Sequence, residues 1–276
     1  MENCDLVILL FACYTDDKYR RQIETINRTW GKVCESYSIR VLYFLGEEKR
    51  DGFQDTETIK YVNLEGVKND YESASYKQFL GLKYIYEKYN TKFIYCAGTD
   101  TYVNIPKMMA YLTTFSPKEE LYIGGDGSER QVGNMNCYFH SGGAGFIITP
   151  PCLEKLYPLL PNLMENWTQL CHVHQTQGLI PACDVSISFY LQHLIPHLKI
   201  VTDNVQFSNS NHRGWPWKQN QVVDMKQLIC CHFMNEHHCN EFTAILHENQ
   251  YYVQTTEHST GRLNDNRYDS EKGVSL

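Results

Sequence analysis

The segment Phe93-Ile94-Tyr95-Cys96-Ala97-Gly98-Thr99-Asp100-Thr101-Tyr102-Val103 runs from an apolar strand straight into small residues and a single carboxylate. In open α/β sheets ligands bind beyond the carboxyl ends of strands, so Asp100 stands where a ligand or a metal-phosphate unit would sit. A turn in which Asp100 caps the following segment is the structural alternative. Ser141-Gly142-Gly143-Ala144-Gly145-Phe146 puts three glycines in one short loop, the composition needed where backbone must approach something closely. Asp184 stands alone between Ala182-Cys183 and the helical run Val185–Leu191, as a rigidly held carboxylate or as a helix N-cap. Cys230-Cys231-His232 and His237-His238-Cys239 gather thiols and imidazoles as a structural zinc site would, with Cys171-His172 and His174 as further contributors. Their spacing fits no standard zinc finger, and plain burial of the thiols is the competing explanation.

These groups need a scaffold, and the first half of the chain supplies one by alternating apolar runs with amphipathic stretches, the pattern of a parallel sheet flanked by helices. Leu6–Tyr14 reads as the first strand, Asp16–Trp30 as a helix with an acidic start, and Arg40–Gly46 as a second strand. Glu72–Tyr89 places Tyr76, Phe79, Leu80, Leu82 and Tyr86 at helical spacing, with Lys77, Lys83 and Lys88 between them. Lys92–Ala97 is a buried strand, and Asn104-Ile105-Pro106 is a cap opening a helix through about Phe115. Leu121–Gly125, Met135–Phe139 and Gly145–Thr149 read as short strands, and Leu153–Leu160 and Val185–His193 as helices. From about Glu257 the sequence is polar and lacks periodicity, so 257–276 is expected to be a surface tail after one domain over 1–256.

The chain has 276 residues, 42% hydrophobic and 21% charged, which suits a globular protein with a sizeable core. With 25 basic against 32 acidic residues and a net charge of −7, a nucleic-acid groove or an anionic membrane surface is not expected. Leu6–Ala12 is far shorter than the roughly 20 apolar residues a bilayer span needs. Eleven cysteines, an odd number at irregular spacing, do not suggest a disulfide framework, so a reducing cytoplasm is expected. The alternative is a trimmed luminal domain of a Golgi or ER enzyme, in which the triplets Asn27-Arg28-Thr29 and Asn166-Trp167-Thr168 would be glycosylation acceptors.

Read together, the motifs resemble glycosyltransferase family 31, the family of the fringe and core 1 β1,3-galactosyltransferase enzymes. Arg20-Arg21 before Thr29-Trp30-Gly31 is similar to its Arg-rich helix ending in Thr-Trp, and Asp100-Thr101-Tyr102-Val103 to the tail of its acidic metal motif. Ser141 to Phe146 resembles its Gly-Gly-Ala-Gly loop, and Cys183-Asp184-Val185 part of its Glu-Asp-Val segment. Cys231-His232-Phe233 with Glu236-His237-His238 resembles the late His-rich stretch of the core 1 branch, so the likeness spans roughly Leu6 to His238.

The resemblance implies an α/β GT-A-like fold: a Rossmann-like nucleotide-binding half (about 1–125) with a mixed central sheet, fused to a catalytic and acceptor half (about 126–256). It implies an inverting enzyme that moves a hexose or N-acetylhexosamine from a UDP-sugar to a hydroxyl of a glycan or glycoprotein, giving a β-linkage. Asp100 and His232 would hold Mn²⁺ or Mg²⁺, since hard cations take carboxylate and phosphate oxygens and need no all-protein cage. Asp184 would be the general base for the acceptor hydroxyl. Thr15, Arg20, Arg21, Thr99, Gly142, Gly143 and Ala144 would face the donor, and Trp215 and Trp217 would stack on acceptor sugar. Two departures stand out: Gly98-Thr99-Asp100 keeps one of the family's three acids, and Cys183 replaces the acid before Asp184. They make a catalytically weak or inactive module of the same fold, binding nucleotide-sugar, glycan or a partner protein, the alternative.

Overall fold

Five consecutive residues, Leu6 to Leu10, are wholly buried, as in a strand covered on both faces. The computed structural model describes residues 1–47, 52–70, 73–125, 127–214, 222–225, 227–247 and 252–254. The polar tail at 257–276, Trp215 and Trp217 lie outside the described residues.

In chain order the strands are β1 (Glu2–Phe11), β2 (Ile39–Leu45), β3 (Ile59–Asn63), β4 (Tyr89–Gly98), β5 (Tyr102–Val103), β6 (Leu121–Gly124) and β7 (Ser128–Val132). There follow β8 (Met135–Phe139), β9 (Phe146–Ile148), β10 (Lys199–Thr202), β11 (Phe207–Ser208), β12 (Val222–Asp224), β13 (Cys230–Cys231) and β14 (Tyr252–Gln254). The helices are α1 (Asp17–Arg28), α2 (Trp30–Val33), α3 (Ser73–Lys88), α4 (Ile105–Leu112), α5 (Pro150–Leu156), α6 (Leu163–Val173), α7 (Cys183–Leu194) and α8 (Glu236–His247). The central sheet has seven strands in the order β10-β6-β9-β4-β1-β2-β3. β1 to β4 are mutually parallel, as alternation with helices demands, while β9 runs antiparallel between β4 and β6 and makes the sheet mixed.

Side chains of β1 alternate between two cores. Leu6, Ile8 and Leu10 meet Ile23, Ile26 and Trp30 on one face, and Val7 and Leu9 meet Phe79, Leu82 and Ile85 of α3 on the other. Asp16 caps α1 by accepting the Lys18 N–H at 2.7 Å, and Asn104 caps α4. β1 starts before and ends before the Leu6–Tyr14 expected, because Glu2 to Cys4 pair with Tyr89 to Thr91 of β4. α5 begins at Pro150, not Leu153: proline is accommodated in the first turn, where its missing N–H has no helical partner.

The face of α3 also differs from the periodic reading. Tyr76 is 40% exposed whereas Lys77 is buried. Gly81 explains the rotation, since any Cβ there would lie 2.9 Å from Phe44 and 3.0 Å from Leu9; its absence lets the helix sit directly on the sheet. The Lys77 ammonium donates to Ala12 O at the end of β1 and to Asn69 Oδ1, and Asn69 in turn accepts the Gly46 N–H at the end of β2.

A small sheet, β11-β13-β5, stands beyond the carboxyl end of β4. Cys230 and Cys231 of β13 pair antiparallel with Val103 and Tyr102, so residues far apart in sequence become neighbours there. No described helix is long and apolar enough to cross a membrane.

Candidate active site

Asp100 lies in the turn between β4 and β5, and His232 directly follows β13. Pairing of β5 with β13, together with the Met234 N–H donating to Asp100 O at 2.9 Å, brings His232 Nε2 to 3.3 Å from Asp100 Oδ2. Burial acts to raise the Asp100 carboxyl pKa, but the His232 charge and hydrogen bond, with Lys18 beyond, outweigh it and hold the group below its ordinary value. Both side chains remain partly open to solvent.

His232 is oriented from behind. Its Nδ1 lies 2.8 Å from Asn209 Oδ1, which can only accept, so Nδ1 carries the proton. In the neutral ring Nε2 then presents a lone pair to a carboxylate oxygen, a contact satisfied by a proton or a cation between them. Two ligands of one octahedral Mg²⁺ lie roughly 3 Å apart, given metal-oxygen distances of about 2.1 Å. The pair thus suits a divalent ion whose other positions are filled by phosphate oxygens and water. Among the described residues no three His, Cys, Asp or Glu side chains converge as an all-protein cage would require. That also removes the zinc reading: Cys231 and Cys239 are buried, and burial raises both thiols, Cys239 to about 12.

Asp184 is not the N-cap of α7. Ala182 occupies that position, and Asp184 sits in the first turn, where its carboxylate spans two backbone donors: Gly142 N–H to Oδ2 at 2.8 Å and Val185 N–H to Oδ1 at 2.9 Å. Burial raises its pKa despite these bonds and the charge of Arg130. Arg130 was not anticipated. It lies opposite Cys137 in the β7-β8 hairpin, on the face shared with buried Val132 and Phe139, with its guanidinium 5.3 Å from the Phe139 ring centroid. The hairpin is fastened to α7 by Ser188 and Gln192, both donating to Tyr138 O.

The glycine loop joins the two centres. Gly142 binds Asp184; at Gly143 a Cβ would stand 2.3 Å from His232 Nδ1 and 2.6 Å from Asn209 Oδ1. Thr101 Oγ1 donates to Gly143 O at 2.8 Å, tying the Asp100 turn to the same loop. Gly145 closes it at φ +75, where a Cβ would strike Tyr95. Asp100, Gly142, Gly143, Asp184 and His232 therefore form one constellation.

The expected donor contacts divide. Thr15, Arg20 and Arg21 lie on the solvent side, Arg20 paired with Glu24 at 3.6 Å and 5.6 Å from the Phe53 centroid. Thr99 is buried and donates to Gln22 Oε1 at 2.6 Å. Ala144 is completely buried, its carbonyl occupied by the Tyr95 hydroxyl and the Cys230 thiol, so it backs the loop. Asn27 of the first glycosylation triplet is bonded within the fold, to Tyr43 and Tyr61.

The fold is that of the GT-A glycosyltransferases. The galactosyltransferase LgtC, as an active-site mutant, matches with a TM-score of 0.53 at 12% identity over 91% of this chain and 96% of that one. LgtC with donor and acceptor sugar analogues matches at 0.50 and 11% identity, over 87% and 95%. GlyE of Streptococcus pneumoniae TIGR4 gives 0.46 at 11% identity, covering 93% of this chain and 66% of GlyE. At such identities the likeness is one of fold. The chain belongs to the Fringe-like family, glycosyltransferase family 31, whose model matches residues 5–208. As a glycosyltransferase it takes a sugar donor and an acceptor.

Proposed function

We propose that the protein is an inverting transferase that moves a hexose or N-acetylhexosamine from a UDP-sugar to a hydroxyl of a glycan or glycoprotein. Inversion of an α-linked donor gives a β-linkage. The observation that carries this reading is the single glycine loop that contacts a carboxylate-imidazole pair on one side and a separate carboxylate on the other. Asp100 and His232 would hold Mn²⁺ or Mg²⁺, which when bound neutralises charge on the diphosphate as UDP leaves.

Asp184 accepts the proton of the acceptor hydroxyl as that oxygen attacks the anomeric carbon. Its two backbone hydrogen bonds fix the carboxylate in position, and its raised pKa makes it a stronger base than a free Asp. Thr15, Arg20 and Arg21 serve the nucleotide from the solvent side, and Gly142 and Gly143 let Asp184 and His232 pack directly against the loop that faces the donor sugar. The eleven cysteines, all buried free thiols, support a reducing compartment.

The test is UDP release from a panel of UDP-sugars, with Mn²⁺ and then with chelator. Release that chelator suppresses, and that Asp184→Asn abolishes while UDP binding persists, is the expected result. A folded protein that binds UDP or glycan but releases nothing from any donor would be the non-catalytic module.

A further inference from the structure

His232 is oriented by a second layer of residues that neither the family motifs nor the proposed chemistry includes. The 208–214 loop wraps around it: the His232 N–H donates to Ser208 O at 3.2 Å and Ser210 O at 3.0 Å, and Asn209 Oδ1 receives its Nδ1 proton. Ser208 pairs with Cys231 at one end of this loop, and at the other end a carboxylate on α8 holds it. Glu241 Oε2 lies 2.9 Å from Nε2 of His212, and Glu241 Oε1 pairs with the Arg213 guanidinium. His212 is completely buried and stacks on Phe242 with centroids 5.4 Å apart and planes 14° from parallel. Burying a polar ring beside a carboxylate adds little to stability compared with an apolar pair, whereas it specifies one geometry.

The same helix reaches the other flank. His238 Nδ1 lies 3.3 Å from Phe233 O, and Phe233 adopts φ +56, a left-handed conformation unfavourable for a bulky residue. Residues in such conformations persist where their surroundings over-determine them. Thr243 anchors α8 to Tyr102 of β5 through a 3.0 Å hydroxyl contact, so the helix is registered against the strand that follows Asp100.

We propose that Glu241 is a positioning residue: by capturing His212 and Arg213 it sets the 208–214 loop, and through Asn209 it aims His232 Nε2 at Asp100. This rests on the reading of Asp100 and His232 as ligands of a divalent ion. Glu241 bonds to His212 and Arg213, and acts on the two ligands only through them.

The experiment titrates Mn²⁺ in the presence of UDP, followed by electron paramagnetic resonance, for the wild type and for H232A, N209A, E241Q and the double variant N209A/E241Q. Histidine side-chain NMR of the metal-free proteins reports the His232 tautomer, and thermal melting reports folding. N209A is expected to weaken Mn²⁺ binding roughly 10-fold or more, as loss of an outer-shell partner does. E241Q is expected to weaken it by roughly 3- to 10-fold, with the His232 Nδ1-H signal lost in the metal-free protein, and to add nothing to N209A, because it acts through Asn209. E241D, with a stem one methylene shorter, reads the same way in the event that E241Q does not fold. Unchanged Mn²⁺ affinity and tautomer in a folded Glu241 variant, while N209A and H232A weaken binding, overturn the proposal. Unchanged affinity in H232A overturns the metal-site reading on which it stands.

Discussion

Gly142 donates its N–H to Asp184 Oδ2 at 2.8 Å, and the very next residue leaves no space for a Cβ beside His232. The candidate base and the candidate ion ligand are thus held apart by a fixed backbone span. A rigid span of this kind suits a reaction in which attack and departure occur on opposite faces of one carbon, because geometry is set before substrate arrives.

The pH profile should show the environment of Asp184. Only the ionised carboxylate accepts a proton, and burial raises its pKa, so kcat/KM should fall on the acid side at a pH above the roughly 3.9 of a free Asp. The Arg130 charge opposes that rise. Arg130→Gln should therefore move the acid limb to higher pH while UDP affinity stays unchanged; a limb that stays in place refutes Arg130 as a neighbour of the base.

Gly143→Ala tests the close approach at the loop. The added methyl would stand 2.3 Å from His232 Nδ1, whereas at Gly142 the nearest atom, Asp184 Oδ2, is 3.1 Å away. Mn²⁺-dependent UDP affinity should drop roughly 10-fold or more in G143A and clearly less in G142A, measured by calorimetry. Equal effects would show that the loop adapts freely.

Lys77→Met keeps the aliphatic stem and removes the ammonium. Ala12 O would lose the ammonium donor inside the fold and Asn69 Oδ1 would keep only the Gly46 N–H, which should cost about 1–3 kcal/mol in urea unfolding. A loss near zero would mean that water replaces the ammonium.

His140 sets an acid limit to stability. It is completely buried, both ring nitrogens lack hydrogen-bond partners among the described residues, and burial lowers its pKa to about 4. The unfolded chain binds the proton near pH 6.5, so its contribution is full above that pH and is lost as pH falls from 6.5 toward 4, at a slope of at most about 1.4 kcal/mol per pH unit. Unfolding midpoints from pH 7 to 4.5 should show the decline. His140→Phe should flatten it in part, leaving the share of His212, whose pKa burial also lowers to about 4.

Much of the scaffold was legible because its signals are local. β1 and β4 each contain a continuous apolar run, Leu6 to Phe11 and Phe93 to Ala97, and Asn104 before Pro106 marks the start of α4. The rotation of α3 was not legible, because the cause, contact of Gly81 with Phe44 and Leu9, is tertiary. Likewise β3, α6 and β10 carry too little pattern of their own. At the candidate site, motifs single out Asp100, Gly142, Gly143, Asp184 and His232, which the fold brings together, but not their neighbours Asn209, Arg130 and Glu241. They serve by where they stand relative to other side chains, and an Asn, an Arg or a Glu in a polar stretch gives no local sign of that. The first turn of α7 shows the same limit: an Asp near a helix start reads as a cap, yet its bond to Gly142 crosses 42 positions of sequence.

β10, the last strand of the central sheet, ends at Thr202, and the pairing of β13 with β5 comes later in the chain. During synthesis every strand of that sheet therefore exists before His232 does. The central sheet can thus pair before the segment carrying His232 emerges, whereas the core on the α1 side, to which Ile229, Met234 and Phe242 contribute, closes only afterwards, together with the candidate site.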